Sequence, residues 1–202
     1  MKVSQIQVRD YRKPLHSIED FIINRWSARA MTGEPLPQSD LLRLFEAARW
    51  APSSGNFQEW YFLYSHRNSP EFERFFALLD QWNQEWCIRA SVLLLVLSNK
   101  ISPKGKLISR HAFDTGFAFE NLALQGIAMG LVVHPMGGFE YEKARIDLNI
   151  PENYDIHCMA AIGYPGEVED LSEYNRNREF PSRRKDLSEM FREGGFPPQS
   201  IV

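Results

Sequence analysis

The stretch "SVLLLVLSN", Ser91 to Asn99, constrains this chain more than any other. Its Leu and Val residues run on without a polar partner at every second position. Such a run marks a strand covered on both faces, so the chain must supply apolar layers above and below it. The longest apolar run, Ala90 to Leu97, is far too short to span a bilayer. "WYFLYSH", "LVVHPM" and "HCMAAIGYPG" read as further strands, each bounded by turn residues. Helical patterns separate them. One mixed sheet between helical layers, an α+β domain, is the architecture this order predicts. No linker divides it, so residues 1–202 are expected to form one domain.

Ser17 is expected to cap a short helix that reaches about Arg25, and Ser39 to cap a second over "DLLRLFEAARWA". Phe72, Phe75, Phe76 and Leu79 recur at helical spacing within one predicted helix from Pro70 to Trp86. "HAFDTGFAFENLALQGIAMG" predicts a long buried helix stopped by Gly130. Its small residues Gly116, Ala118 and Ala123 predict close approach of a neighbour. A short helical stretch is expected from Leu187 to about Arg192.

The charge balance, Lys+Arg 23 against Asp+Glu 26, argues against a general nucleic-acid binder. The cysteines, Cys87 and Cys158, form neither a disulfide framework nor a metal motif. The first residues carry no apolar signal region, and a cytoplasmic location is expected, with no membrane or metal partner. Aromatics are abundant, with 14 Phe, 7 Tyr and 5 Trp. That excess suggests a flat ligand, a large subunit interface, or both.

Four segments could carry chemistry. "RWSAR" places Arg25, Ser27 and Arg29 together near a helix end, where a last turn would put both arginines on one face. Guanidinium forks suit a phosphate, although an arginine pair there also complements the helix dipole as a solvated face. "APSSGNFQEW", Ala51 to Trp60, crowds Ser53, Ser54, Asn56 and Gln58 onto one loop, either as turn chemistry or as ligand contacts. "HPMGGF" follows a buried strand with Gly137 and Gly138, whose N–H groups could face a ligand atom that gains electrons. "PSRRKDL" places Arg183 and Arg184 before the last helical turn. No Ser-His-Asp arrangement and no third metal ligand is spaced to complete a site. His111 and Asp114 lie three apart on a helix, and His134 and His157 read as core or edge residues.

In order and spacing these pieces resemble the nitroreductase family of FMN-dependent oxidoreductases. The resemblance runs over about residues 18 to 192. "EAARWAPSSGNFQEW" is its most specific stretch, and Asp114, Gly116, Ala118, Asn121 and Leu122 on the long helix continue it. It implies a mixed sheet flanked by helices in an intertwined homodimer, with FMN at the subunit interface. Arg25, Ser27 and Arg29 would hold the phosphate and ribityl end, with Trp26 in the same contact segment. Arg183 or Arg184 would close over the phosphate. Pro52, Ser53, Ser54 and Asn56 would reach the flavin from the other subunit. Gly137 and Gly138 would donate to flavin N5 and O4, with Met136 packing nearby.

The implied activity uses NAD(P)H as a transient donor in a ping-pong cycle. Hydride would pass through flavin N5 to a nitroaromatic, quinone or similar flat acceptor, so no catalytic side chain is required. Two other readings stay open: a relative specialised for flavin or another defined substrate, and an FMN-binding protein without turnover. The chain departs from the family at "NFQEW", where Glu59 stands in place of the usual proline.

Overall fold

The computed structural model describes residues 1–196; the last six positions of the expected domain lie outside the described residues. Four strands, β1 (Trp60–His66), β2 (Val92–Asn99), β3 (Val132–Met136) and β4 (Tyr154–Gly163), form one sheet in the order β1-β2-β4-β3. The helices are α1 (Val8–Tyr11), α2 (Asp20–Asn24), α3 (Gln38–Arg49), α4 (Phe72–Phe76), α5 (Gln81–Cys87), α6 (His111–Ala128), α7 (Tyr141–Asp147) and α8 (Glu173–Arg176). The α+β class holds. The mixed strand directions expected with it do not occur among these four strands, whose pairings are all antiparallel. The link from β1 to β2 shows why. Arg67 N–H donates to Ser91 O at 2.9 Å, so the chain re-enters the sheet beside the point where it left.

β2 fulfils the expectation of two covered faces. Leu93, Leu95 and Leu97 enter one core cluster with Ala28, Met31, Phe72 and Trp86. Val92, Leu94 and Val96 enter a second with Leu41, Leu44, Ala118 and Leu122 of α3 and α6. The alternation follows from the two-residue period of a strand. β4 repeats it, with Met159 and Ala161 on the first face and Ala160 and Ile162 on the second. Each buried Leu, Val, Ile or Met among them contributes roughly 1.5–3 kcal/mol before entropy is counted.

Gly130, at φ +72°, stops α6, and Leu131 N–H returns to Gly126 O at 2.8 Å. Ala118 and Ala123 are buried as expected, whereas Gly116 faces open space. The single helix expected from Pro70 to Trp86 is instead α4 and α5. Asp80 breaks it: its backbone is extended, its N–H donates to Gly138 O, and its carboxylate caps Asn83 N–H at 2.8 Å. α2 and α3 start at other residues than expected, with Glu19 and Pro37 at the caps and neither Ser17 nor Ser39 used. The last helical stretch is one 3-10 turn, Leu187–Glu189. No helix among the described residues is long and apolar enough to cross a membrane.

Candidate active site

The helix α2 ends before the first arginine. Arg25 has φ −69° and ψ 115°, which is extended backbone. Arg25 and Arg29 therefore share a side through a two-residue period and not through a helical turn. Arg25, Ser27 and Arg29 are partly exposed, while Trp26, Ala28 and Ala30 between them are buried. Trp26 is 7% exposed and packs in the core cluster, so its ring points away from the three polar side chains.

Other elements hold this segment in place. The Glu179 carboxylate, fully buried, accepts Arg29 N–H at 2.6 Å and Ala30 N–H at 2.9 Å through Oε1. Its other oxygen lies 3.5 Å from Arg29 Nη1. Burial raises the Glu179 pKa, against the opposing pull of those N–H groups and of Arg29. His134 of β3 pairs through Nδ1 with Ala28 O at 2.8 Å. Burial first, then Arg29 and Arg25, lower its pKa to about 4, so the ring is neutral near pH 7.

Arg12, just past α1, joins the same neighbourhood. Its Nη1 donates to Ile23 O at 3.0 Å and Arg25 O at 2.8 Å, and its Nε to Ser182 O at 3.0 Å. Its pKa is lowered to about 10 by burial, then by Arg184 and Arg25. Arg184 donates to Ser182 Oγ at 2.9 Å. Arg12 and Arg184 have no carboxylate within salt-bridge distance among the described residues, and Arg25 has only Glu120 at 3.7 Å. Positive charge thus converges with little internal compensation, which favours an anion. Arg184 belongs to this group through Ser182, whose carbonyl accepts from Arg12 at 3.0 Å and from Arg184 at 3.4 Å; Arg183 makes no comparable contact.

β3 continues from His134 to Met136, which is buried, and on to Gly137 and Gly138. The N–H groups of both glycines lack a hydrogen-bond partner among the described residues. A Cβ on Gly138 would come within 2.1 Å of Asp80 Oδ2, so only glycine lets this turn lie against α5. A Cβ on Gly137 would meet nothing nearer than Tyr141 Oη at 3.8 Å.

Pro52, Ser53, Ser54 and Asn56 lie elsewhere in the chain. Their loop ends in left-handed backbone at Gly55, Asn56 and Gln58, with φ between +54° and +60°. Gln58 in that region is uncommon and signals a conformation enforced by its surroundings. Ser53 Oγ accepts Gln58 N–H at 3.0 Å, and Asp114 Oδ2 accepts Ser54 N–H at 2.8 Å. Asp114 opens α6, whereas Glu120, beside Arg25, lies six residues along it, roughly 9 Å at 1.5 Å per residue. A cavity of about 490 Å³ lies beside this loop, lined by Phe57, Trp60, Tyr61, Ile108 and Tyr154 among others. None of its lining residues belongs to the arginine group.

Sequence reasoning missed Arg12 and Glu179. Glu59, the residue that stands where the family has proline, is 4% exposed, and neither of its carboxyl oxygens has a hydrogen-bond partner among the described residues. Sequence reasoning also missed a part-buried polar cluster. Ser98 Oγ lies 2.7 Å from His111 Nδ1 and 2.6 Å from His157 Nε2, and Asp155 Oδ2 lies 3.7 Å from His111 Nε2. Ser98 is 0% exposed, so its hydroxyl bridges two rings and cannot meet a substrate. A register shift in β4 between the partners of Val96 and Leu97 leaves His157 as the extra residue and re-aims its ring. No group of three or more His, Cys, Asp or Glu among the described residues could hold a metal.

The nitroreductase family model matches residues 22–78 and 63–164. The chain belongs to the nitroreductase family. A structure described as an oxidoreductase containing FMN shares 37% identity and superimposes with a TM-score of 0.89, over 92% of this chain and 96% of that one. A protein from Desulfovibrio desulfuricans, provisionally called a nitroreductase and solved with FMN, shares the fold at 23% identity and a TM-score of 0.69, covering 90% and 100%. An Archaeoglobus fulgidus protein provisionally named NADH dehydrogenase/NAD(P)H nitroreductase is 26% identical over 166 residues, covering 75% of this chain and 87% of its own. The family match leaves residues 1–21 and those after 164 outside it.

Proposed function

We propose that this nitroreductase-family chain is a cytoplasmic, FMN-dependent oxidoreductase. It takes hydride from NAD(P)H and delivers it to a flat acceptor such as a quinone or nitroaromatic, by a ping-pong cycle. The observation that carries this reading is the convergence of Arg12, Arg184 and Arg25, whose one carboxylate within 4 Å among the described residues is Glu120 at 3.7 Å from Arg25, together with two glycines past β3 whose N–H groups have no partner among the described residues. When bound, FMN would supply the centre, flavin N5, that accepts and releases hydride.

The residues of the chain do the rest. Arg25, Ser27, Arg29 and Arg184 hold the phosphate and ribityl end. Gly137 and Gly138 aim backbone donors at the ring where negative charge develops. Met136 sits buried behind them. Pro52, Ser53, Ser54 and Asn56 are displaced from the arginines within one chain, which supports a homodimer in which each loop completes the partner's site. Exposed Phe113 and Phe117 on α6, with Trp50 and Phe57, supply apolar surface for that contact.

An absorbance spectrum of the purified protein tests the cofactor, and NADH or NADPH oxidation with menadione tests turnover. A flavin spectrum that bleaches with a pyridine nucleotide and recovers with menadione is expected. Protein that takes up no FMN from excess would overturn the reading, and bound FMN that resists both nucleotides would leave a binding protein instead.

A further inference from the structure

Arg12 lies before the part of the chain that the family shares, which begins at residue 22. It is 9% exposed, and three hydrogen bonds tie its guanidinium to carbonyls on two distant segments: Ile23 and Arg25 on one side, Ser182 on the other. Tyr11 beside it stacks on Phe180, with ring centroids 6.0 Å apart. The N-terminal segment therefore bridges the backbone that carries Arg25 and the backbone that leads to Arg184.

We propose that Arg12 is a positioning residue for the FMN phosphate: by clasping these three carbonyls it fixes the separation of Arg25 and Arg184 so that both face one anion. The inference rests on the proposed FMN site. Two guanidinium groups close together repel, and each would swing apart if its backbone were free. A buried planar fork satisfies several carbonyls at fixed angles, which a lysine ammonium cannot do. The geometry also explains why a third arginine is placed where it adds charge to an already positive site. Three carbonyl partners offset its burial, and a bound anion would offset the repulsion that remains.

The test compares binding of FMN and of riboflavin, which lacks the phosphate, to the full-length wild type and to Arg12→Ala. Quenching of flavin fluorescence gives both dissociation constants. Loss of a charged hydrogen-bonded brace is expected to weaken FMN binding about tenfold or more. Riboflavin binding should stay within about twofold. Equal weakening of both flavins would show a general structural role and overturn the inference. Unchanged FMN affinity in the variant would do the same while leaving the proposed cofactor intact. A wild-type chain that binds neither flavin would instead bring down the site reading, and this inference with it. Should Arg12→Ala fail to fold, Arg12→Lys carries the test. It keeps the charge and loses the fork, so the same phosphate-selective loss is expected, and full retention of FMN affinity by Lys would overturn the positioning role.

Discussion

Asp114 and Ser54 stand sixty residues apart in sequence, yet Oδ2 of the first accepts the backbone N–H of the second at 2.8 Å. That bond anchors the Pro52–Gln58 loop to the start of α6. Next along the chain, Glu59 buries a second carboxyl whose oxygens have no hydrogen-bond partner among the described residues. Burial raises its pKa above the ordinary 4.5, and Asp114 adds to this, while His111 opposes it. Glu59 therefore keeps its proton in the fold at pH values where it would lose it in the unfolded chain. The native state binds more protons, so this group's contribution is intact below about pH 4.5 and falls as pH rises through the folded pKa. Urea midpoints of Glu59→Gln and wild type should converge near pH 4 and separate towards pH 8, with the variant the more stable. Parallel curves would exclude a titrating Glu59.

Removing the anchor itself gives a different outcome. Asp114→Ala leaves Ser54 N–H without its charged acceptor. A loss of about 1.5–3 kcal/mol is expected for a hydrogen bond of this kind. Because the loop is proposed to serve the partner's flavin, FMN retention through gel filtration should fall as well. Retention equal to wild type would detach the loop from the site.

The two late arginines make a second contrast. Arg184 acts on Arg12 and bonds to Ser182, whereas Arg183 contributes only its carbonyl, as an acceptor. Arg184→Ala and Arg25→Ala are expected to fold and to purify with little FMN. Arg183→Ala should keep most of its cofactor. The ratio of flavin to protein absorbance measures all three, and equal loss at Arg183 and Arg184 would refute the distinction.

Much of this fold was readable because burial leaves a period. The Leu and Val run of β2 announced two covered faces, and both core clusters meet on it. Gly130 marked the end of α6 because only its left-handed backbone lets the helix turn back. The break at Asp80 was hidden, since its cause is a hydrogen bond to Gly138, far away in sequence. The site followed the same rule. Arg25, Ser27 and Arg29 stood out as a motif, but a helical reading put them on one face for the wrong reason, and Trp26 pointed inward. Arg12 and Glu179 were invisible because they act on backbone carbonyls and N–H groups that only the folded chain brings near.

His134 predicts the acid side of the stability profile. Its pKa falls from 6.5 to about 4 because burial and the nearby arginines disfavour the charged ring. The unfolded chain takes up this proton first, so the contribution is full above pH 6.5 and is lost as pH falls towards 4. The total is on the order of 3 kcal/mol. His134→Gln should flatten this part of the curve relative to wild type. Because Glu59 and Glu179 act with the opposite sign, the difference between the two proteins is the quantity to compare.

The exposed rings of α6 address assembly. Phe113 and Phe117 contact each other at 4.5 Å between centroids, and Phe113 is 62% exposed. If a second copy covers them, Phe113→Asp places a charge in an apolar contact and should shift sedimentation from dimer to monomer. FMN should be released together with the partner's loop. A variant that stays dimeric and yellow would place the interface elsewhere.

Gly137 and Gly138 separate packing from chemistry. Gly138→Ala would drive a Cβ into Asp80 and Asn83, the residues that start α5. Overpacking of this kind costs about 1–3 kcal/mol, and a fall in melting temperature is expected. Gly137 has room for a methyl group, so Gly137→Ala should melt near wild type. Its effect falls on the ligand side, where a methyl beside the free N–H would hold a flat ring further off. Weaker hydrogen bonding to that ring should slow the NAD(P)H half-reaction in stopped flow, with protein stability unchanged. If Gly137→Ala reduces menadione at the wild-type rate, the backbone donors are not where charge develops, and the adjacent glycines serve only to let β3 turn against α5.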